Sequence, residues 1–580
     1  MRVAVTQFAT SSNTQENLAT CIRMINETAT CEPNLIVLPE LCNTLSWYAD
    51  HNQAWHEAVS INGDFIKAIA EQAIKHNCYI VLNVTLRGDQ SRDHQDGTIK
   101  SNIRITSCLF SPQGKLIHQM DKQNLMGHEN DFFISTDNVS EVVTTPCGKV
   151  GLLNGSDSMS FEASRSLSLN HAQLLCNSVN TFALDQSHLH DQARACENNV
   201  FVATANKVGS LIPQNQDVVF SGQDYLPTKY LIGVGQSQIT APNGKVIAKI
   251  DNNEEGFVFA DIDLAITDNK SRPDGSDFIK QRRPEIYQEQ LTSSSQTCQH
   301  QVDDKVPATA NVAIFATYKS NEQAIEDVHH YIINNVSDII QLPELFFVAD
   351  KTITNDEKQL AHIASLSELF ISQVSSVLRP FQYVCTSLVI DGQHQAVLIN
   401  ENGVLAKQQQ LHFCQRYQWT ELADVLNIIT IPLEQGNIKL VMLTADDANI
   451  PELVDYSASN NIHLLLVPFD IQESCEVDHY LLSQAAQHRI CIVAATREKS
   501  LDNQLSNTKN KNSRKTDKST GLIINLTTDP TLLPQWKSRE FVGYINQPLV
   551  KHQHGKITKA VIHPIAACNK EMATQYIGKN

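Results

Sequence analysis

Two glutamates stand at matching places in two similar segments of this 580-residue chain. Glu40 follows the apolar run 35–38 and a proline, and Glu344 follows the run 339–342 with a proline inside the same Leu-Pro-Glu motif. A carboxylate at the C-terminal end of a strand can accept a proton from a nucleophile. Alone, such a glutamate is more often a turn residue or the carboxylate at a helix start. The surrounding elements must therefore show whether its role is catalytic or structural.

Other reactive residue types lack the spacing that metals or nucleotides require. The chain has 21 histidines, but the pairs His188/His190 and His552/His554 fit no metal pattern. The segment HEN at His128 lacks the second histidine of a zinc-protease helix. No glycine-rich phosphate loop is present. We therefore expect neither a metal nor another cofactor.

The elements around Glu40 alternate between strands and helices. Residues 2–6 form a β-rich run, and an amphipathic helix follows with Leu18, Cys21, Ile22 and Ile25 on one face. A second β-run at 35–38, a helix at 65–73 and a strand at 79–84 come next. This alternation predicts an α/β fold with layered packing.

The same pattern restarts near residue 311, which indicates a duplicated domain. Matched positions lie 309 residues apart at the first strand and 304 apart at the two glutamates, and the offset then shrinks to about 290. A Ser-, Gln- and Thr-rich stretch separates the copies. We predict a first domain over 1–288, a linker over 289–309 and a second domain over 310–580.

The first copy resembles the nitrilase superfamily of carbon–nitrogen hydrolases along residues 3–287. The resemblance implies two tandem α-β-β-α sandwich domains and a role in nitrogen compound metabolism. Five short motifs in the family's order carry it: LPEL from Leu38, KQNLMGHENDFF from Lys122, RACEN from Arg194, GVGQSQITAPNG from Gly233 and RRPEIY from Arg282.

In that family a glutamate, a lysine and a cysteine form the catalytic set. The resemblance implies that Glu40 is the glutamate, Lys122 the lysine and Glu129 an auxiliary glutamate. The glutamate would take the thiol proton, and the ammonium would stabilise the oxyanion of a tetrahedral intermediate. The thiolate would attack an amide or nitrile carbon and carry the acyl group until water releases it.

The position of the family's cysteine is occupied by glycine. The family pattern is Gly-x-x-x-Cys-x-Asp, followed by a glutamate and an arginine. Anchoring it on Gly151, Asp157, Glu162 and Arg165 places Gly155 at the nucleophile. Because glycine has no side chain to attack with, we expect cysteine-dependent hydrolysis to be absent.

Residues near this position are candidates for binding or for support. Ser156 is adjacent, but strand alternation would aim it to the opposite side, and Cys42 is expected near the pocket mouth, so neither is favoured as a replacement nucleophile. Ser156 and Asp157 are candidate binding residues. Arg194 and Glu197 are grouped with them and interpreted as a buried ion pair that supports the pocket wall.

The second copy has lost more of the set. It keeps Glu344, but Gln410 stands at the lysine position and Ala445 at the cysteine position, and the RACEN motif is replaced at 485–489. We interpret this domain as a scaffold.

Three hypotheses for function follow. The leading one is a pseudo-amidase whose first domain binds a small amide, amine or carboxylate ligand or regulates a partner. The alternatives are an active amidase that uses Ser156, another thiol or water activated by Glu40, and an assembly module in which the two domains pair within the chain. Homo-oligomerisation is left open.

The composition limits which partners and which cellular location we expect for this protein. A formal net charge of −18 argues against nucleic-acid binding, which needs clustered lysine and arginine. No apolar stretch reaches the roughly 18–20 residues of a transmembrane helix, and no signal-peptide pattern opens the chain. Fourteen cysteines without a CxxC spacing are typical of reduced thiols. We therefore expect a cytoplasmic protein that does not associate with membranes.

Overall fold

The computed structural model divides the chain into two units. The first unit contains Met1–Asn269, and the second contains the described residues between Lys270 and Met572. Helix α7 (Pro284–Leu291) reaches into the predicted linker, whose residues 292–304 lie outside the described part. The structure describes residues 1–88, 91–92, 99–100, 102–138, 141–213, 231–291, 305–317, 319–349, 355–497, 521–526, 544–547, 550–552 and 555–570.

The first unit is built from short strands and helices in alternation. Its helices are α1 (Thr14–Thr28), α2 (His51–Glu57), α3 (Asp64–His76), α4 (Glu129–Phe132), α5 (Phe161–Leu169) and α6 (Asp191–Asn198). Its strands are β1 (Arg2–Gln7), β2 (Leu35–Val37), β3 (Tyr79–Arg87), β4 (Ser91–Arg92), β5 (Ile99–Lys100), β6 (Ile103–Phe110), β7 (Leu116–Asp121), β8 (Val142–Thr145), β9 (Gly148–Asn154), β10 (Leu174–Val179), β11 (Phe201–Asn206), β12 (Val208–Ser210), β13 (Ile232–Val234), β14 (Gln238–Thr240), β15 (Val246–Lys249) and β16 (Gly256–Asp261).

Two six-stranded sheets form the centre of this unit, in the orders β16-β1-β2-β3-β6-β7 and β15-β14-β11-β10-β9-β8. Alternate residues of each strand face opposite sides of a sheet. Val5 and Val37 therefore meet Leu152 and Leu174 in the core between the sheets. Ile36 faces the other way, toward α1 and α3, while α5 and α6 cover the second sheet through residues such as Leu167 and Ala195. The layers are α-β-β-α.

The second unit repeats this arrangement. Its helices are α7, α8 (Asn321–Ile333), α9 (Glu357–Ser375), α10 (Pro451–Ser459) and α11 (Leu481–His488). Its strands are β17 (Ala310–Thr317), β18 (Ile339–Glu344), β19 (Tyr383–Ile390), β20 (Gln393–Asn400), β21 (Gly403–Gln409), β22 (Ile429–Leu433), β23 (Gly436–Met442), β24 (Leu464–Phe469), β25 (Cys491–Thr496), β26 (Gly521–Leu526), β27 (Tyr544–Gln547), β28 (Val550–His552) and β29 (Gly555–Ile562).

The sheets of the second unit run in the orders β21-β20-β19-β18-β17-β29-β28 and β22-β23-β24-β25-β26-β27. Apart from the added edge strand β28, these are the strand orders of the first unit. A core lies between the two sheets, and a second core lies between the first of them and helices α8 and α9. The predicted α/β sandwich fold is confirmed.

The ends of the strands create the place for a site. In the first unit β1, β2 and β3 are parallel neighbours, and so are β9, β10 and β11. Side chains that follow such strands meet at one edge of the sandwich, where open α/β sheets usually bind ligands. Among the described residues, no helix combines the length and apolar character needed to cross a membrane.

Candidate functional site

Glu40, Lys122 and Glu129 meet in one buried cluster. The Lys122 ammonium donates to Glu40 Oε1 and to Glu129 Oε1, both at 2.9 Å. Lys122 and Glu40 are each 2% exposed, and Glu129 is also buried. Burial strengthens the attraction between these charges but also makes each of them costly to leave unpaired. The structure thus brings together the three residues that the resemblance singled out.

The loop after β2 fixes Glu40. The N–H of Glu40 donates at 3.2 Å to the carbonyl of Val179, which lies at the end of β10. The next residue, Leu41, has a left-handed φ of +54° and donates its N–H to Asn83 Oδ1 at 2.9 Å. Asn83 in turn donates to Asn154 Oδ1 at 2.8 Å. Sequence reasoning missed this amide network, because buried polar residues inside a strand show no periodic signal.

Asp157 holds the backbone beside Lys122. Its carboxylate accepts the N–H groups of Gln123, at 3.2 Å, and Asn124, at 2.7 Å. Glu129 also stabilises this loop, because its Oε2 accepts the N–H of Met126 at 2.8 Å. Asp157 is therefore placed as a support for the lysine loop rather than in the cavity lining described below.

Position 155 lies at a sharp turn immediately after β9. Gly155 has a φ of +48°, in the left-handed region that favours glycine, and residues 155–158 form one 3₁₀ turn. A Cβ at this position would lie 2.6 Å from Glu40 Oε2. The position at which the family pattern has its cysteine therefore faces the Glu40 carboxylate directly.

The expectation that Ser156 points away was wrong. It assumed that the strand continues, but β9 ends at Asn154 and the 3₁₀ turn places Ser156 in the wall of the same cavity as Gly155. The Ser156 hydroxyl donates to the carbonyl of Asn124 at 2.6 Å. Cys42 is fully buried and does not line the cavity; its thiol donates to the carbonyl of Pro39 at 3.1 Å.

A cavity of about 140 Å³ lies against this cluster. Its lining includes both polar and apolar residues. The polar side chains include Glu40, Lys122, Glu129, Ser46, Asn180 and Asp185, and the apolar ones include Trp47, Phe182, Leu211, Ile212 and Leu231. Small-ligand sites typically combine an apolar lining with a few converging polar groups in this way.

The protonation of the cluster follows from its burial. Burial raises the pKa of Glu40 to about 7, against the opposing effect of Lys122. Burial also raises the pKa of Asp157 to about 6. For Lys122, burial disfavours the ammonium, but Glu129 and Glu40 outweigh it and raise the pKa above its ordinary value. The lysine therefore stays charged at neutral pH, while Glu40 can exchange a proton there.

Arg194 and Glu197 pair with each other on α6, away from the cavity lining. Arg194 Nε lies 3.1 Å from Glu197 Oε1, and both side chains are fully buried. The predicted ion pair is present, but neither residue reaches the cavity. A direct ligand-binding role for them finds no support in this placement.

In the second unit the corresponding space is filled by protein groups. Ala445 follows β23 with a φ of +53°, and its N–H donates to Glu344 Oε2 at 2.8 Å. The hydroxyl of Tyr417 donates to Glu344 Oε1. Gln410, at the lysine position, instead contacts His394 Nδ1 at 3.2 Å. These contacts support the interpretation of this unit as a scaffold.

One group in the second unit has the residue types of a metal site. Asp274, Cys414 and Asp446 lie close enough to share an ion. The guanidinium of Arg416 already lies 2.7 Å from Asp274 and 3.1 Å from Asp446. This arginine supplies the positive charge that a metal cation would otherwise supply. We therefore interpret the group as an ion-pair cluster and not as a metal site.

Comparison with known proteins identifies the family of the first unit. The sequence profile of the carbon-nitrogen hydrolase family matches residues 2–269. A nitrilase from Pyrococcus abyssi is 26% identical over 273 residues, 47% of this chain and 93% of the relative. A chloroplastic omega-amidase from Arabidopsis thaliana is 24% identical over 301 residues, 49% of this chain and 73% of the relative.

Among solved structures, an amidase from Nesterenkonia sp. aligns with 50% of this chain and 95% of its own, at 20% identity and a TM-score of 0.39. From the profile match and these sequence relatives, the first unit belongs to the nitrilase superfamily of carbon–nitrogen hydrolases.

Proposed function

We propose that the protein is a pseudo-amidase: its first unit binds a small amide, amine or carboxylate in the cavity beside Glu40, Lys122 and Glu129, without forming a covalent bond to it. The observation that carries this proposal is the intact charged cluster in a cavity wall whose turn, at Gly155, has no nucleophilic side chain.

The chemistry of position 155 supports binding without turnover. Covalent amide hydrolysis in this fold needs a thiolate that attacks the carbonyl and later leaves as an acyl-enzyme is hydrolysed. Gly155 cannot supply it. Ser156 is one residue away, but its hydroxyl proton is directed at the carbonyl of Asn124 rather than at a carboxylate that could remove it.

The cluster retains the groups needed to hold an amide. A lysine ammonium has three N–H donors, and two of those of Lys122 go to Glu40 and Glu129. The third remains for a carbonyl oxygen. The carboxylates can accept N–H groups from the nitrogen end of the same ligand.

One observation favours the active alternative. Glu40, with a pKa raised to about 7, can act as a general base near neutral pH, and Lys122 beside it can stabilise an oxyanion. Water would then be the nucleophile and no acyl-enzyme would form. This reading requires ammonia release that depends on Glu40.

One set of measurements distinguishes ligand binding without turnover from active amide hydrolysis. The purified full-length chain is titrated calorimetrically with small amides, amines and carboxylates, and ammonia release is followed in parallel. We expect saturable binding to wild type and to Glu344→Gln, loss of binding in Lys122→Ala, and no ammonia above the buffer rate. Glu344→Gln is the matched control, because it changes the equivalent glutamate of the second unit.

Two results would contradict the proposal. Ammonia release that disappears in Glu40→Gln but persists in Glu344→Gln would establish the active alternative. Absence of binding by every class of compound, with the protein shown to be folded by circular dichroism, would leave the cavity without a ligand role.

A further inference from the structure

The cavity of the first unit holds more negative than positive groups. Among the described residues that line it, Glu40, Glu129 and Asp185 carry carboxylates, and Lys122 is the one lysine or arginine. His128 is the remaining titratable residue of this lining, and it hydrogen-bonds a backbone carbonyl.

The Lys122 ammonium is already shared between two of these carboxylates. Its hydrogen bonds go to Glu40 and Glu129, so Asp185 depends on other groups. Asp185 is only 3% exposed. Its Oδ1 accepts the N–H of Gln186 at 3.0 Å, and its Oδ2 lies 3.6 Å from His190 Nε2. Burying a carboxylate costs free energy unless a hydrogen-bond donor or a cation faces it. The residues that line this cavity offer Asp185 few donors or cations.

A further acceptor lies in the same lining. Asn180 donates its amide to the hydroxyl of Ser46. This leaves Asn180 Oδ1 buried and without a hydrogen-bond partner among the described residues. Asn180 Oδ1 and the Asp185 carboxylate are therefore both hydrogen-bond acceptors in this lining, and a ligand rich in N–H groups would satisfy both.

The apolar wall suits a short aliphatic cation as well. Trp47 and Phe182 line the cavity, and aromatic rings attract ammonium groups through their faces. A volume of about 140 Å³ is close to that of cavities that hold a benzene-sized molecule. The ligand is therefore a compact one.

We infer that the cavity selects a short aliphatic amide with a terminal ammonium group, which faces Asp185 while the amide end faces Lys122, and that it disfavours carboxylates. This inference rests on the proposed function and specifies its ligand class. A carboxylate ligand would add negative charge to a lining with three carboxyl groups and one lysine, whereas an ammonium would offset that excess.

Three primary amides with four carbon atoms each test this inference: γ-aminobutyramide, butyramide and succinamate, which end in an ammonium, a methyl and a carboxylate. Each is titrated calorimetrically into the full-length protein at neutral pH and low salt. We expect γ-aminobutyramide to bind at least about ten-fold more tightly than butyramide, and succinamate to bind most weakly. In Asp185→Asn the ratio of the affinities for γ-aminobutyramide and butyramide should fall to within about three-fold.

The outcomes are distinguishable. Equal affinity for γ-aminobutyramide and butyramide, or tighter binding of succinamate, would overturn the inference while the proposed function stands. Failure of all three probes to bind folded wild-type protein would overturn the inference, and the proposed function falls with it only if simple amines and carboxylates also fail to bind. Asp185 also accepts the N–H of Gln186, so its side chain contributes to the local structure. If Asp185→Asn does not fold, the affinities of the three probes for the wild-type protein decide the test.

Discussion

Glu40 occupies the space into which any side chain at position 155 would extend. A Cβ on Gly155 would lie 2.6 and 2.8 Å from the two carboxylate oxygens of Glu40, well inside van der Waals contact. In the second unit Ala445 carries a methyl at the equivalent turn, and there Glu344 accepts the alanine N–H at 2.8 Å. The same turn thus accommodates its glutamate in two different ways.

Gly155→Ala should therefore disturb Glu40. The left-handed φ of +48° costs a non-glycine residue about 1–2 kcal/mol, and the new methyl must displace the Glu40 carboxylate from Lys122. We expect a loss of stability of about 2 kcal/mol in the first unit, measured by hydrogen exchange of β9, and weaker ligand binding.

Ala445→Gly is the matched control for this prediction. It relieves the same backbone conformation at a φ of +53° and should change stability by no more than about 1 kcal/mol. If Gly155→Ala left both exchange and binding at wild-type levels, the position of Glu40 would not depend on the glycine.

Lys122→Met should destabilise the first unit more strongly. It removes the ammonium but leaves Glu40 and Glu129 buried and facing each other. Breaking a buried pair from one side typically costs about 3–5 kcal/mol. The double variant Lys122→Met/Glu129→Gln should recover part of this loss, because one carboxylate is gone. Urea unfolding that placed the single variant level with wild type would argue against a charged cluster.

The sequence was sufficient for the fold and for the charged cluster. Strand–helix alternation indicated the layered sandwich, and the motif order brought together Glu40 and Lys122, which are 82 positions apart. Both residues follow the ends of strands, and strand ends are set by hydrophobic patterning that a single sequence displays.

The remaining parts of the site depend on loops. Ser156 was assigned to the wrong side because a strand pattern does not reveal that β9 stops one residue before Gly155. Asp185 and Asn180 enter the cavity wall from the segment after β10, and Tyr417 reaches Glu344 from a loop of the second unit. Sequence spacing gives no distance between such loops, so these residues could not be placed in advance.

The pH dependence of stability should report on Glu40. Its folded-state pKa of about 7 lies above the ordinary value of 4.5, so the folded protein retains a proton that the unfolded chain releases. This contribution to stability is complete below about pH 4.5 and is lost as the pH rises through 7.

Glu40→Gln isolates that contribution, since Gln does not ionise and keeps the shape of Glu. Urea unfolding between pH 4 and pH 8 should show wild type losing on the order of 2 kcal/mol more than the variant across this window. Asp157, with a pKa raised to about 6, acts in the same direction but is present in both proteins. Parallel curves for the two proteins would refute the raised pKa of Glu40.

The filled site of the second unit gives the last prediction, which concerns Tyr417. Its hydroxyl donates to the buried carboxylate of Glu344, and burial, followed by the charge of Glu344, raises the pKa of Tyr417 well above its ordinary value. Tyr417→Phe leaves that carboxylate with one donor fewer, and loss of a buried partner costs about 1–3 kcal/mol. In a Glu344→Gln background the same change should cost less, because no charge is left to solvate. A double-mutant cycle measured by urea unfolding gives the coupling directly. A coupling energy near zero would mean that Tyr417 fills space beside Glu344 without stabilising its charge.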